Sequence, residues 1–184
     1  DYPSDEQGVD FLYIGRVIKQ KGIEEYLEAA KQIRKEYPNT TFHVLGPCDG
    51  DYEGMLAEYQ NQGIIQYHGM VPDTREYLLH AHCTIHPSYY PEGISNALLE
   101  SAACGRPIIT TNRSGCRETV EDGKTGFVFE QKNEEQLLMC IRKFMQMDNE
   151  ARREMGIAGR KKMEKEFNRQ IVIDAYMREI DGIR

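Results

Sequence analysis

Short apolar runs, separated by segments of helix length, leave this chain few folds to choose from. The run 11–14, Phe-Leu-Tyr-Ile, ends at Gly15, and similar runs recur at 41–45, 64–68, 83–86, 108–111 and 127–129. A strand that is apolar on both sides must be covered on both, which is the condition of a parallel sheet between helices. The intervening segments supply the cover. Residues 22–36 place Ile23, Leu27, Ala30 and Ile33 in helical period before Pro38, 51–61 read as a shorter helix, and Asp73 can cap a helix reaching Ala81. The predicted fold class is therefore α/β: a doubly wound parallel sheet of about six strands, Rossmann-like, with C-terminal helices at 134–147, 149–167 and 169–180. Residues 1–9, polar with Pro and Gly, read as a linker remnant, 10–167 as the Rossmann-like domain and 168–184 as a terminal helix.

One stretch carries the chemistry. Residues 85–100, from Ile85 to Glu100 and closed by Gly105-Arg106-Pro107, read as a strand, a tight loop and a helix starting near Ser95 or Asn96. The helix 97–104 is so apolar that it is expected to be buried, with Glu100 its only charge. A buried carboxylate needs donors, and the vicinal hydroxyls of a ribose would supply two. Glu92 lies in the loop over the helix start, where the free amides of residues such as Asn96 and Ala97 favour an anion. This suggests a nucleotide sugar laid across the helix N-terminus, its ribose on Glu100 and its sugar on Glu92, with Gly93 and Ile94 allowing close approach. The structural alternative is that Glu100 pairs with Arg106 and that Glu92 is a solvated loop residue.

The spacing Glu, seven residues, Glu, with glycine after the first, resembles the signature of the retaining glycosyltransferases of family four. The resemblance runs from about Phe11 to the C-terminus and includes Gly15-Arg16, Lys21-Gly22 and Gly115-Cys116-Arg117-Glu118-Thr119. It implies the C-terminal, donor-binding domain of a two-Rossmann, B-type enzyme. It also implies the roles: Arg16 and Lys21 on the diphosphate, Glu92 on the sugar, Glu100 on the ribose and the backbone near Val71 on the base, with Arg16, Lys21 and Glu92 as the catalytic set. The expected partners are a nucleotide sugar, UDP-linked in the family's commoner members, and an N-terminal acceptor domain of the same protein, against which the last helix would pack. No cofactor or metal is implied.

Composition narrows the alternatives. A net charge of −7 argues against a nucleic-acid surface, and no apolar run is long enough to cross a bilayer. Five cysteines without metal-type spacing favour a reducing, cytoplasmic setting. Neither a Walker loop nor Gly-x-Gly-x-x-Gly is present, which weakens kinase and dehydrogenase readings. His80, His82, Cys83 and His86 contain zinc-type ligands but straddle a strand start, where alternate side chains point to opposite faces. A glycosidase pair is disfavoured because a helical Glu100 is poorly placed to flank one bond with Glu92. A nucleotide-sugar epimerase and a non-catalytic nucleotide-sugar-binding domain remain as alternatives.

Overall fold

The computed structural model describes residues 1–182. Six strands form one parallel sheet: β1 (Val9–Ile14), β2 (Thr40–Leu45), β3 (Gln66–Gly69), β4 (Cys83–His86), β5 (Ile108–Thr111) and β6 (Gly126–Phe129), in the order β3-β2-β1-β4-β5-β6. Seven α-helices accompany them: α1 (Ile23–Glu36), α2 (Glu53–Asn61), α3 (Arg75–His80), α4 (Asn96–Ala103), α5 (Glu134–Gln146), α6 (Asn149–Glu166) and α7 (Arg169–Gly182). The chain builds outward from β1 in one direction and, after β3, returns to the other side of β1 to add β4, β5 and β6. Between β1 and β4 the order reverses, so the loops leaving these two strands diverge and open a crevice.

The sheet is covered on both faces, as its apolar strands require. Phe11, Tyr13, Phe42 and Val44 pack beneath Tyr26, Leu27 and Ile33 of α1 and Leu137, Ile141 and Phe144 of α5. On the other face Leu12 and Leu45 meet Leu78 of α3, and Ile108 meets Leu98 and Ala102 of α4 with Met163 of α6. Burial of side chains of this size contributes roughly 1.5–3 kcal/mol each, which holds the helices to both faces of the sheet. The helix starts at α5 and α6 are capped by side chains: Asn133 accepts the Gln136 amide at 3.0 Å and Asp148 accepts the Ala151 amide at 2.7 Å.

Two expectations change here. Val9 is the first residue of β1 and is buried, so the strand begins one residue before the expected domain start. The residues ahead of it are bound to the body: Tyr2 donates its hydroxyl to the His82 carbonyl at 2.7 Å, and Arg152 holds Asp5 at 3.1 Å. The helix α4 is not buried on all sides either. Leu98, Ser101 and Ala102 face inward, whereas Asn96, Glu100 and Ala103 form an outward stripe at positions i, i+4 and i+7. Ala103 had disguised that stripe as apolar, and Glu100 is exposed.

Candidate active site

The crevice at the reversal point is built from three loops. The first leaves β1 through Gly15 and Arg16, makes a single turn of 3-10 helix at Lys19–Lys21 and enters α1 at Gly22. The second runs from β4 to α4 through Tyr89, Tyr90 and Glu92. The third follows β5 through Asn112 and Gly115. Backbone contacts lock them together: the Tyr89 amide donates to the Gln20 carbonyl at 2.9 Å and the Ser95 amide to the Gly115 carbonyl at 3.0 Å. Thr110 and Thr111 donate their hydroxyls to the carbonyls of His86 (2.9 Å) and Ser88 (2.6 Å).

Glycine is required where these loops touch. Gly22 has φ +77°, and a Cβ there would lie 2.3 Å from the Pro87 carbonyl oxygen. Gly115 has φ +92°, and its Cβ would lie 2.1 Å from the Gly93 oxygen. Both combine a left-handed backbone with an approach that no side chain tolerates.

Three of the expected residues meet around Tyr90. The Arg16 guanidinium lies 5.3 Å and the Lys21 ammonium 5.1 Å from the Tyr90 ring centroid, within cation–π range. Lys21, although charged, is buried, and its Nζ donates to Glu92 Oε1 at 2.5 Å. Arg16 is exposed at the rim. The second carboxylate oxygen of Glu92 has no hydrogen-bond partner among the described residues and lies in a side chain that is 27% exposed. Beside it, Ser95 caps α4 without a side-chain cap bond, and the amides of Asn96 and Ala97 have no acceptor among the described residues. Two cations, a carboxylate oxygen and free helix-terminal amides therefore share one crevice. Such a set can hold a polyanion next to a hydroxylated group.

Electrostatics fix the charge state of Glu92. His86 and then Lys21 hold its carboxyl down to about 2 against the opposing effect of partial burial. A folded value below the ordinary 4.5 means that its stabilisation is complete above about pH 4.5 and is lost as pH falls toward 2. The shift corresponds to at most about 3.4 kcal/mol, and to about 1–2 once solvent screening is allowed for. In acid unfolding, the stability difference between the parent and Glu92→Gln is expected to shrink between pH 4.5 and about 2; a difference independent of pH would contradict the assignment.

Glu100 stands apart from this cluster. Its Oε2 accepts the Thr74 hydroxyl at 3.4 Å, and it borders a cleft of about 520 Å³ with Pro72, Thr74, Arg75, Leu78 and Cys104. Val71, one residue before this cleft begins, is half-buried against the cluster of Leu12, Leu45, Leu78 and Ala81. The alternative partner for Glu100 turns away from it: Arg106, three residues past α4, is buried, donates to the Asp1 carbonyl at 2.8 Å and stacks over Tyr2 at 5.3 Å, whereas Glu100 is exposed. Gly93 and Ile94 are exposed on the loop, and a Cβ at Gly93 would meet nothing within 4 Å. The histidines also separate. His82, at the amino end of β4, accepts the Asp10 amide at 3.0 Å, whereas His86, at the carboxyl end, is buried behind Glu92. Sequence reasoning missed Tyr90, the Lys21–Glu92 pairing and the position of His86; only the aromatic pair Tyr89-Tyr90 beside Glu92 offered a signal.

Fold and crevice together define a Rossmann-like α/β domain with two cations, a carboxylate and a helix start gathered at its topological switch point. The chain belongs to the glycosyl transferases group 1 family, whose pattern it matches over residues 1–162. It is 30% identical over 164 residues to the capsular polysaccharide biosynthesis glycosyltransferase CapM of Staphylococcus aureus, covering 87% of this chain and 42% of that protein. Anabaena HepE, solved in complex with UDP and glucose, superposes with a TM-score of 0.77 at 18% identity, over 93% of this chain and 49% of its own. The C-terminal domain of a glycosyl transferase group 1 family protein from Francisella tularensis superposes with a TM-score of 0.76 at 21% identity, over 90% of this chain and 95% of that domain. These two likenesses establish a shared fold. The chain spans less than half the length of CapM and of HepE.

Proposed function

We propose that this chain is the donor-binding half of a retaining glycosyltransferase. It would move a hexose-type sugar from a nucleoside diphosphate sugar, in the first instance a UDP-sugar, to a glycan or lipid-linked acceptor. The observation that carries this reading is the convergence of Arg16, Lys21 and Glu92 around Tyr90, beside the free amides of Asn96 and Ala97. A diphosphate placed there meets the guanidinium fork of Arg16, the remaining ammonium protons of Lys21 and the helix terminus. The free oxygen of Glu92 accepts the sugar hydroxyls, with Gly93 and Ile94 at the rim. Glu100 accepts the ribose hydroxyls from its cleft, and the backbone near Val71 meets the base.

Chemically, negative charge gathers on the departing diphosphate as the bond to the anomeric carbon breaks. Fixed cations and amides stabilise that charge more than the ground state, so this arrangement needs no metal. The acceptor must be held within a few ångströms of the anomeric carbon by groups of a further, N-terminal domain, so this chain alone binds donor without transferring sugar. The exposed Ile171, Ile173, Tyr176, Met177 and Ile180 of α7 support such a second domain, and five unpaired cysteines support a reducing, cytoplasmic setting. The capsular role in CapM's name and the UDP and glucose bound to HepE support polymer building from a uridine donor.

Calorimetry of the chain with UDP and with uridine tests the reading. The parent is expected to bind UDP more tightly than uridine. Arg16→Ala should weaken UDP by about 1.5–3 kcal/mol, roughly tenfold or more, and leave uridine nearly unchanged. Equal affinity of parent and variant for UDP would remove the diphosphate from this crevice.

A further inference from the structure

His86 is the last residue of β4 and is almost wholly buried, at 1% exposure, behind the loop that carries Glu92. Its Nε2 lies 3.4 Å from Ser95 Oγ and 3.9 Å from Glu92 Oε1, the same oxygen that Lys21 holds. Its Nδ1 is buried with no hydrogen-bond partner among the described residues. Ser95 is the cap residue of α4, yet its side chain makes no cap bond and lies against His86.

This arrangement favours one tautomer. A proton on Nε2 has Ser95 Oγ as its acceptor and faces the Glu92 carboxylate, and the only other acceptor against the ring, among the described residues, is the Ile14 backbone carbonyl. Resting on the donor-site reading above, we infer that neutral His86, protonated on Nε2, is a positioning residue that fixes Glu92 Oε1 and Ser95 from behind and leaves Glu92 Oε2 alone to recognise the sugar. At 3.9 Å the imidazole acts on Glu92 as an oriented dipole and a steric stop, while at 3.4 Å it reaches the Ser95 hydroxyl directly. Burial, with the Lys21 cation in support, keeps His86 below its ordinary range, and Glu92 opposes that shift. These are the charged groups that face it, Lys21 from the β1 loop and Glu92 from its own loop.

Two measurements on the full chain decide it. Nitrogen-15 NMR of the parent is expected to report His86 as the Nε2–H tautomer, neutral at pH 7, and Glu92→Gln should move its titration to lower pH. The Nδ1–H tautomer, or a titration indifferent to Glu92→Gln, would overturn the inference even if every His86 variant misfolds. In calorimetry with UDP-glucose and UDP as probes, His86→Leu should lose five- to tenfold in affinity for UDP-glucose, with UDP within twofold of the parent. His86→Gln, which keeps a side-chain N–H, should recover most of that loss. Parallel losses on both probes would mean that His86 only supports the fold. If the parent bound neither probe, the donor-site reading would fall, and with it the sugar role of His86, whereas the NMR result would still decide its coupling to Glu92.

Discussion

Glu92→Met is expected to destabilise the chain far more than Lys21→Met, although the two side chains make the same ion pair. Removing the carboxylate leaves the buried Lys21 ammonium without its anion, at a cost of about 3 kcal/mol, or a melting temperature lower by about 6–12 °C. Removing the lysine leaves Glu92, which is 27% exposed and can turn its carboxylate to water, so about 1 kcal/mol is expected. The double variant should be more stable than the sum of the single effects predicts, because two apolar side chains replace a pair whose charges were costly to bury. Thermal unfolding of the four proteins at pH 7 completes this cycle. Equal single effects that simply add would show that the two charges do not depend on one another.

Gly115→Ala should disable the crevice while leaving the sheet folded. Its φ of +92° already disfavours a side chain, and the new Cβ would lie 2.1 Å from the Gly93 oxygen, so the loop holding Glu92 must move by close to an ångström. The left-handed backbone alone costs about 1–2 kcal/mol. The displacement also loosens the bond from the Ser95 amide to the Gly115 carbonyl, and with it the start of α4. Affinity for UDP-glucose is expected to fall at least tenfold, about 1.4 kcal/mol or more, with unchanged far-ultraviolet circular dichroism. Unchanged UDP-glucose affinity would mean that the contact between these loops has no bearing on the ligand.

Element order was legible because the apolar runs are short and fully buried, and Cys83–His86 and Ile108–Thr111 fall where their sequence places them. The third strand shows the limit. Its apolar pair Ile64-Ile65 packs into the core ahead of the ladder, and strand pairing begins only at Gln66. At α4, alanine on the outward stripe hid the exposure of Glu100. The Lys21–Glu92 pairing was hidden for a different reason: the two residues are 71 positions apart, and only the reversal of strand order between β1 and β4 brings them together. His86 was read for metal-ligating chemistry because its ring nitrogens are visible in a sequence, whereas the carboxylate behind which it is buried is not.

The difference between Gly115 and Gly93 also marks where this surface can be rewritten. At Gly93 the backbone is in a region open to any residue and a Cβ would point into open space, and the neighbouring Ile94 is 40% exposed. Side-chain diversity introduced at these two positions would stand beside Glu92 without displacing the loops that hold it. On the donor-site reading proposed above, a combinatorial library that seeks a new sugar preference belongs at Gly93 and Ile94, with Gly22 and Gly115 held invariant, and most of its members should fold as the parent does.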